Sequence, residues 1–238
     1  MSQDNPIRPI GADEPFHFSC NPKVPCFNAC CRDLTQNLSP FDVVRLKTHF
    51  QMRASDFLQK YTRWYEGPQS GLPVVVLIPA DGYGRCCPFL SDKGCRVYED
   101  RPGSCRMYPL GRMLSRSRED GQIRESFFLI TEPHCRGFEQ GAVTTPREWM
   151  ADQGLTSYNA FDDIMIEVIA ARQRCQKGGL DKELVRNLHT ILYDVDAFRQ
   201  IMIDDPEARG HGGDCRSAME DAEILRRAMA YARRLLTE

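Results

Sequence analysis

Cys26-Phe27-Asn28-Ala29-Cys30-Cys31, preceded by Phe18-Ser19-Cys20, places four thiols between residues 20 and 31. Working outward, five more follow at Cys86, Cys87, Cys95, Cys105 and Cys135, so nine of 11 cysteines precede residue 136 and only Cys175 and Cys215 follow it. Soft thiolate sulfur binds zinc or iron in sets, usually four per structural zinc or per ordinary [4Fe-4S] cluster. The first thiols lack the paired spacing of a zinc ribbon, and Cys30-Cys31 is an adjacent pair. Neighbouring side chains of an extended chain point to opposite faces, so one member of the pair either serves a different site from the other or stands just behind the ligands.

The compartment decides between metal and disulfide. The chain has 238 residues, a net charge of −2, and 42% hydrophobic and 27% charged residues. Such a composition is that of a globular chain able to bury a sizeable core, and it excludes collagen, coiled coil and wholesale disorder. Val74 to Ile78 is the longest apolar run, far below the roughly 20 residues of a membrane span. Met1 to Ile10 lacks the basic and apolar layout of a secretory signal, from which a cytoplasmic location is expected. Eleven thiols in a reducing compartment point to metal or redox chemistry rather than structural disulfides. The near-neutral charge supplies no field for nucleic acid or membrane.

Local signals outline an α+β chain. Ser39-Pro40-Phe41-Asp42 reads as a helix start, with a capping Ser, Pro at the first helical position and an acidic residue three after the cap, and the helix runs to about Phe50. Ser55 opens a short helix carrying Phe57, Leu58, Tyr61 and Trp64, ended by Gly67-Pro68. Leu72 to Pro79 fits a buried strand. Between Met107 and Ile130, two extended segments flank Glu119-Asp120-Gly121, which predicts an antiparallel hairpin. Gly82-Tyr83-Gly84 reads as a turn. Thr145-Pro146-Arg147-Glu148 repeats the cap pattern, and helices are expected at about Ser157–Gln176, Lys182–Ile203 and Ser217–Leu236. The composition shifts near Gly141, so residues 1–140 are expected to form a cysteine-cluster metal-binding domain and residues 141–238 a helical module. In the latter, stripes such as Leu188, Ile191, Leu192 and Val195 require a buried partner.

Phe18-Ser19-Cys20, Cys26 to Cys31, Cys87-Pro88-Phe89-Leu90, Gly94-Cys95-Arg96-Val97-Tyr98-Glu99, Arg101-Pro102, Cys105-Arg106-Met107-Tyr108-Pro109 and Cys135-Arg136-Gly137 occur in that order. Together they resemble the YkgJ family of cysteine-cluster proteins, also called CxxCxxCC, over about residues 16–140. The resemblance implies metal binding by Cys20, Cys26, Cys30, Cys31, Cys87, Cys95, Cys105 and Cys135. Here the gaps between Cys20, Cys26 and Cys30 are longer than the family's short pattern, and Cys86 is extra. Cys175 and Cys215 read as small apolar fillers.

Flanking residues add to the site. His17 and His134 adjoin ligand candidates and could complete it. Arg101, Arg106, Arg112, Arg116 and Arg118 would offset the net −2 of a four-thiolate centre by charge and N–H donors. No Walker loop, GxSxG elbow or HExxH occurs, and the basic run belongs to no nucleic-acid module. The expected protein is therefore α+β, with cysteine-rich metal-binding loops around a small antiparallel sheet and a C-terminal helical bundle. It is expected to hold an iron-sulfur cluster of the 4Fe-4S type, with zinc as the alternative, and to act in electron or metal handling. Two other classes stand beside this one. Relatives resembling flagellin lysine N-methylases imply a protein methylase using S-adenosylmethionine, and a zinc-stapled module could bind a protein partner through its C-terminal helices. Neither nucleic acid nor membrane insertion is expected, and whether the protein is an enzyme is open.

Overall fold

The computed structural model describes residues 6–80, 85–116, 122–139, 141–175, 178–209 and 219–237. The strands are β1 (Ile7–Ile10), β2 (Phe16–Phe18), β3 (Asn37–Leu38), β4 (Thr62–Glu66), β5 (Pro73–Leu77), β6 (Leu90–Ser91), β7 (Gly94–Cys95), β8 (Leu110–Arg116), β9 (Ile123–Ile130) and β10 (Ala142–Thr144). The helices are α1 (Pro40–His49), α2 (Ala54–Tyr61), α3 (Gly103–Met107), α4 (Pro146–Asp152), α5 (Thr156–Arg174), α6 (Lys182–Tyr193), α7 (Val195–Asp204), α8 (Pro206–Arg209) and α9 (Asp221–Leu235). The fold is α+β: small antiparallel sheets in the orders β1-β9-β8, β10-β2, β3-β5-β4 and β6-β7, interleaved with α1–α3 and followed by α4–α9. Among the described residues no helix is long and apolar enough to cross a membrane.

Both cap motifs do what the sequence requires of them. Asp42 N–H donates to Ser39 Oγ and Ser39 N–H returns a bond to the Asp42 carboxylate, while Thr145 and Glu148 make the same reciprocal pair at α4. Such boxes satisfy helix N–H groups that have no partner inside the helix. The expected hairpin is β8 paired with β9, Leu110 facing Leu129 and Arg116 facing Ile123. Its turn at 119–121 lies outside the described residues, as does Gly82-Tyr83-Gly84.

Two expectations are corrected. Trp64 is not on a helix: α2 stops at Tyr61 and the chain enters β4, where Trp64 faces Val75 of β5. Helical spacing through Trp64 was a local signal, overridden because β5 is buried and its backbone bonds have to be met by a neighbouring strand. The stretch from Lys182 to Ile203 is not one helix either. Asp194 closes α6 and caps α7 by accepting from Ala197 N–H at 3.0 Å, since an Asp side chain competes well for helix-start amides.

The core is one continuous cluster running from Ile10 and Phe16 to Ala232 and Leu236. Phe41 of α1 stacks on Phe161 of α5 at 4.4 Å between centroids. Phe18 meets Tyr108, Phe138 and Trp149 edge-on, each ring next to or between cysteine-bearing segments. Full burial of the Phe18 ring contributes on the order of 1.5–3 kcal/mol, and its half-buried partners contribute less, so the cysteine segments sit on an aromatic base centred on Phe18.

Candidate metal centre

The candidate ligand thiols are placed by backbone hydrogen bonds and turns. Cys20 follows β2, where Ser19 N–H donates to the Gly137 carbonyl at 2.9 Å and draws the Cys135 turn alongside. A side chain at Gly137 would come within 2.5 Å of the Phe18 ring, so this approach requires glycine. The Arg136 N–H donates to Cys26 Sγ at 3.1 Å, joining Cys26 to the same turn. Between Cys26 and Cys30 the chain reverses through Asn28 at φ 67°, a left-handed conformation that Asn tolerates better than most residues. A 3-10 turn over Cys30–Arg32 then leaves Cys30 Sγ and Cys31 Sγ 3.9 Å apart.

A second group of devices holds the later cysteines. The Cys31 carbonyl accepts from Cys87 N–H at 2.8 Å, and the Cys87 carbonyl accepts from Leu90 at 3.1 Å. Leu90 pairs with Cys95 across β6 and β7. Gly94 turns that ribbon at φ 113°, a conformation closed to other residues. Cys105 lies on α3, whose first N–H, from Gly103, donates to Asp42 Oδ1 at 2.8 Å. Its thiol donates to Gln36 Oε1 at 3.4 Å, while Gln36 Nε2 donates to Ser104 Oγ at 2.6 Å.

Cys20, Cys30, Cys31, Cys95 and Cys105 line one cleft of about 860 Å³ together with Tyr98, Arg101, Tyr108, His134 and Trp149. The remaining three expected ligands adjoin it: Cys26 and Cys135 lie within electrostatic reach of Cys20, and Cys87 within reach of Cys31 and Cys105. Cys86 is half-buried beside Cys87. Cys175 follows the last residue of α5, and Cys215 lies outside the described residues. His17 rests against the Gly141 carbonyl at 3.3 Å, whereas His134 faces the cleft.

The arginines divide differently from expectation. Arg106 is buried and donates to the backbone carbonyls of Arg101, Gln153 and Glu99, so it ties loops together. Arg112 pairs with Glu125 and Asp163. Arg101, held over the Tyr98 ring at 3.9 Å, is the guanidinium whose charge reaches Cys20 and Cys95. Arg118 and the Arg116 side chain lie outside what is described. Gln36 and Tyr108 belong to the site as well. The Tyr108 hydroxyl is buried beside Cys135 and Glu132 without a partner at normal hydrogen-bonding geometry.

Burial, more than the neighbouring sulfurs, sets the protonation of most of the thiols. Burial, then the charges of Cys30, Cys26 and Cys135, push Cys20 up to about 11. Burial likewise raises Cys87, Cys95, Cys105 and Cys135. Within the adjacent pair, the contact between the two sulfurs lowers Cys30, helped by His134, and raises Cys31.

Residues 19–136 match the family model "CxxCxxCC: Putative zinc- or iron-chelating domain". This stretch is a CxxCxxCC domain. It contains all eight expected ligands and Cys86, and it excludes Cys175 and Cys215. No curated protein and no solved structure matches the chain. The match supports a metal-binding, cysteine-cluster role for this stretch.

Among the described residues, no three His, Cys, Asp or Glu side chains are already disposed to hold one ion. The donor chemistry of the CxxCxxCC domain nevertheless fits a soft metal: thiols from separate stretches lie in mutual electrostatic reach, with an N–H donor on Cys26 and a guanidinium nearby. Because most of these thiols are held above the ordinary thiol value, they are protonated at neutral pH and must release protons to bind metal. Metal affinity is therefore expected to fall as pH is lowered from about 8 to about 6, with protons released on binding. Calorimetric titration with zinc in buffers of different ionisation enthalpy measures this release; an affinity independent of pH would contradict it.

Proposed function

We propose that Cys20, Cys26, Cys30, Cys31, Cys87, Cys95, Cys105 and Cys135 hold iron-sulfur chemistry and that the protein handles electrons or metal. The supporting observation is the gathering of thiols from distant stretches along one open cleft, with single cysteines and an adjacent pair in place of closely paired zinc knuckles. An iron-sulfur cluster at these thiols would supply one-electron chemistry. The protein's own residues do the rest: Phe18 and its ring neighbours support the ligand loops, the Arg136 N–H donates to sulfur, and Arg101 offsets thiolate charge.

Residues 141–238 serve, in this reading, as a helical support that supplies no ligand. Anaerobically isolated protein is expected to contain iron and acid-labile sulfide, with broad thiolate-to-iron absorption that changes reversibly on reduction. Colourless protein holding stoichiometric zinc despite ample iron would reject the iron assignment and leave a zinc centre at the same thiols.

A further inference from the structure

The geometry points to two four-thiol centres side by side, one of Cys31, Cys87, Cys95 and Cys105 and the other of Cys20, Cys26, Cys30 and Cys135, each taking its own thiophilic metal or cluster. This division rests on the proposal that the thiols hold metal and goes beyond it in assigning each thiol to a centre.

Two separate backbone frameworks carry the sets. In the first, Cys31 is joined to Cys87 by a direct backbone bond of 2.8 Å, and Cys87 is joined through Leu90 to Cys95 on the β6–β7 ribbon. Cys105 enters from α3, with Cys87, Cys95 and Cys30 in electrostatic reach, Cys87 most strongly. In the second framework, the Ser19–Gly137 bond of 2.9 Å and the 3.1 Å bond from Arg136 N–H to Cys26 Sγ bring Cys20, Cys26 and Cys135 to one place. The thiols in electrostatic reach of Cys20 are Cys30, Cys26 and Cys135.

The adjacent pair forms the seam. A 3-10 turn has about three residues per turn, so consecutive side chains leave the backbone about 120° apart. Cys31 is committed to the first framework by its bond to Cys87, and Cys30 is the residue left to complete the second. Cys30 Sγ lies 3.9 Å from Cys31 Sγ and also within reach of Cys95 and Cys105, so the two centres are neighbours. Four plus four also meets the chemistry, because a tetrahedral zinc or an ordinary [4Fe-4S] cluster is closed by four thiolates and has no use for eight.

The test is an anaerobic titration of the reduced, metal-free full-length chain with cobalt(II), read by thiolate-to-cobalt absorption. Wild type is expected to saturate at about two cobalt per chain, one per four-thiolate set. Cys87→Ser/Cys105→Ser and Cys26→Ser/Cys135→Ser are each expected to saturate at about one, with circular dichroism confirming the fold. Saturation of the wild type at a single cobalt would overturn the division while leaving the metal proposal intact, and needs no variant to fold. Loss of all cobalt from either folded double variant would also overturn it. Failure of the wild type to bind any cobalt, zinc or iron would overturn the metal proposal itself.

Discussion

Cys105→Ser is expected to lower metal affinity by at least about a hundredfold, because even residues that only support a ligand are commonly worth ten- to a hundredfold. The thiol sits on a short helix tied to α1 through Asp42, so its position is maintained by the fold and the sulfur itself is what the substitution removes. Hydroxyl is a poor donor to a soft metal. Metal binding of this kind adds free energy on the order of 10 kcal/mol to folding, so the variant should also melt at lower temperature than the metal-loaded wild type. Cys30→Ser and Cys87→Ser are expected to behave alike. Cys175→Ser, outside the CxxCxxCC domain, should change neither metal content nor melting. Elemental analysis with thermal denaturation monitored by circular dichroism separates the cases, and equal metal retention in all four variants would reject the ligand assignment.

Lys47→Ala is expected to cost about 3–5 kcal/mol of stability, the loss typical of breaking a buried ion pair from one side. Lys47 is 7% exposed, and its ammonium lies 3.2 Å from Asp196 Oδ2 and 2.7 Å from Asp221 Oδ2. It thereby joins α1, which carries the Asp42 anchor of the site, to α7 and α9 of the helical half. Removing it leaves Asp196 without its cation, though Arg199 still reaches Asp221 at 3.0 Å. For a chain of this length the penalty corresponds to a fall in Tm on the order of 10 °C. Chemical denaturation of the two proteins at matched metal loading measures it, and a difference below about 1 kcal/mol, the range of solvated pairs, would show that these helices are held by apolar packing alone.

The candidate ligands of the proposed metal centre were legible before folding, because metal chemistry constrains residue identity. Only cysteine supplies a thiolate, so the ligand candidates and the order of their motifs stand out in the sequence. Their grouping does not: Cys87 meets Cys31, and Cys20 meets Cys135, through backbone bonds spanning 56 and more than 100 positions. Gln36 carries no motif and matters through proximity alone, and Tyr108, although inside the Cys105 motif, is brought beside Cys135 only by folding. Arg106 follows a ligand candidate in sequence yet its guanidinium is taken by backbone carbonyls, while Arg101 reaches the thiols.

By itself the sequence determined what short-range physics governs. The capping boxes at Ser39 and Thr145 and the antiparallel partners flanking Glu119-Asp120-Gly121 depend on residues a few positions apart. Tertiary structure alone decided where local preferences were balanced or silent. Trp64 became part of a strand because β5 needed a partner, the helix expected from Lys182 broke at Asp194, and strands as short as β2 and β10 formed only because Phe18 and Gly141 approach closely. A helix cap is satisfied within one turn of chain, whereas a strand edge, a buried lysine or a four-thiol set is satisfied only by groups that folding brings from far along the chain.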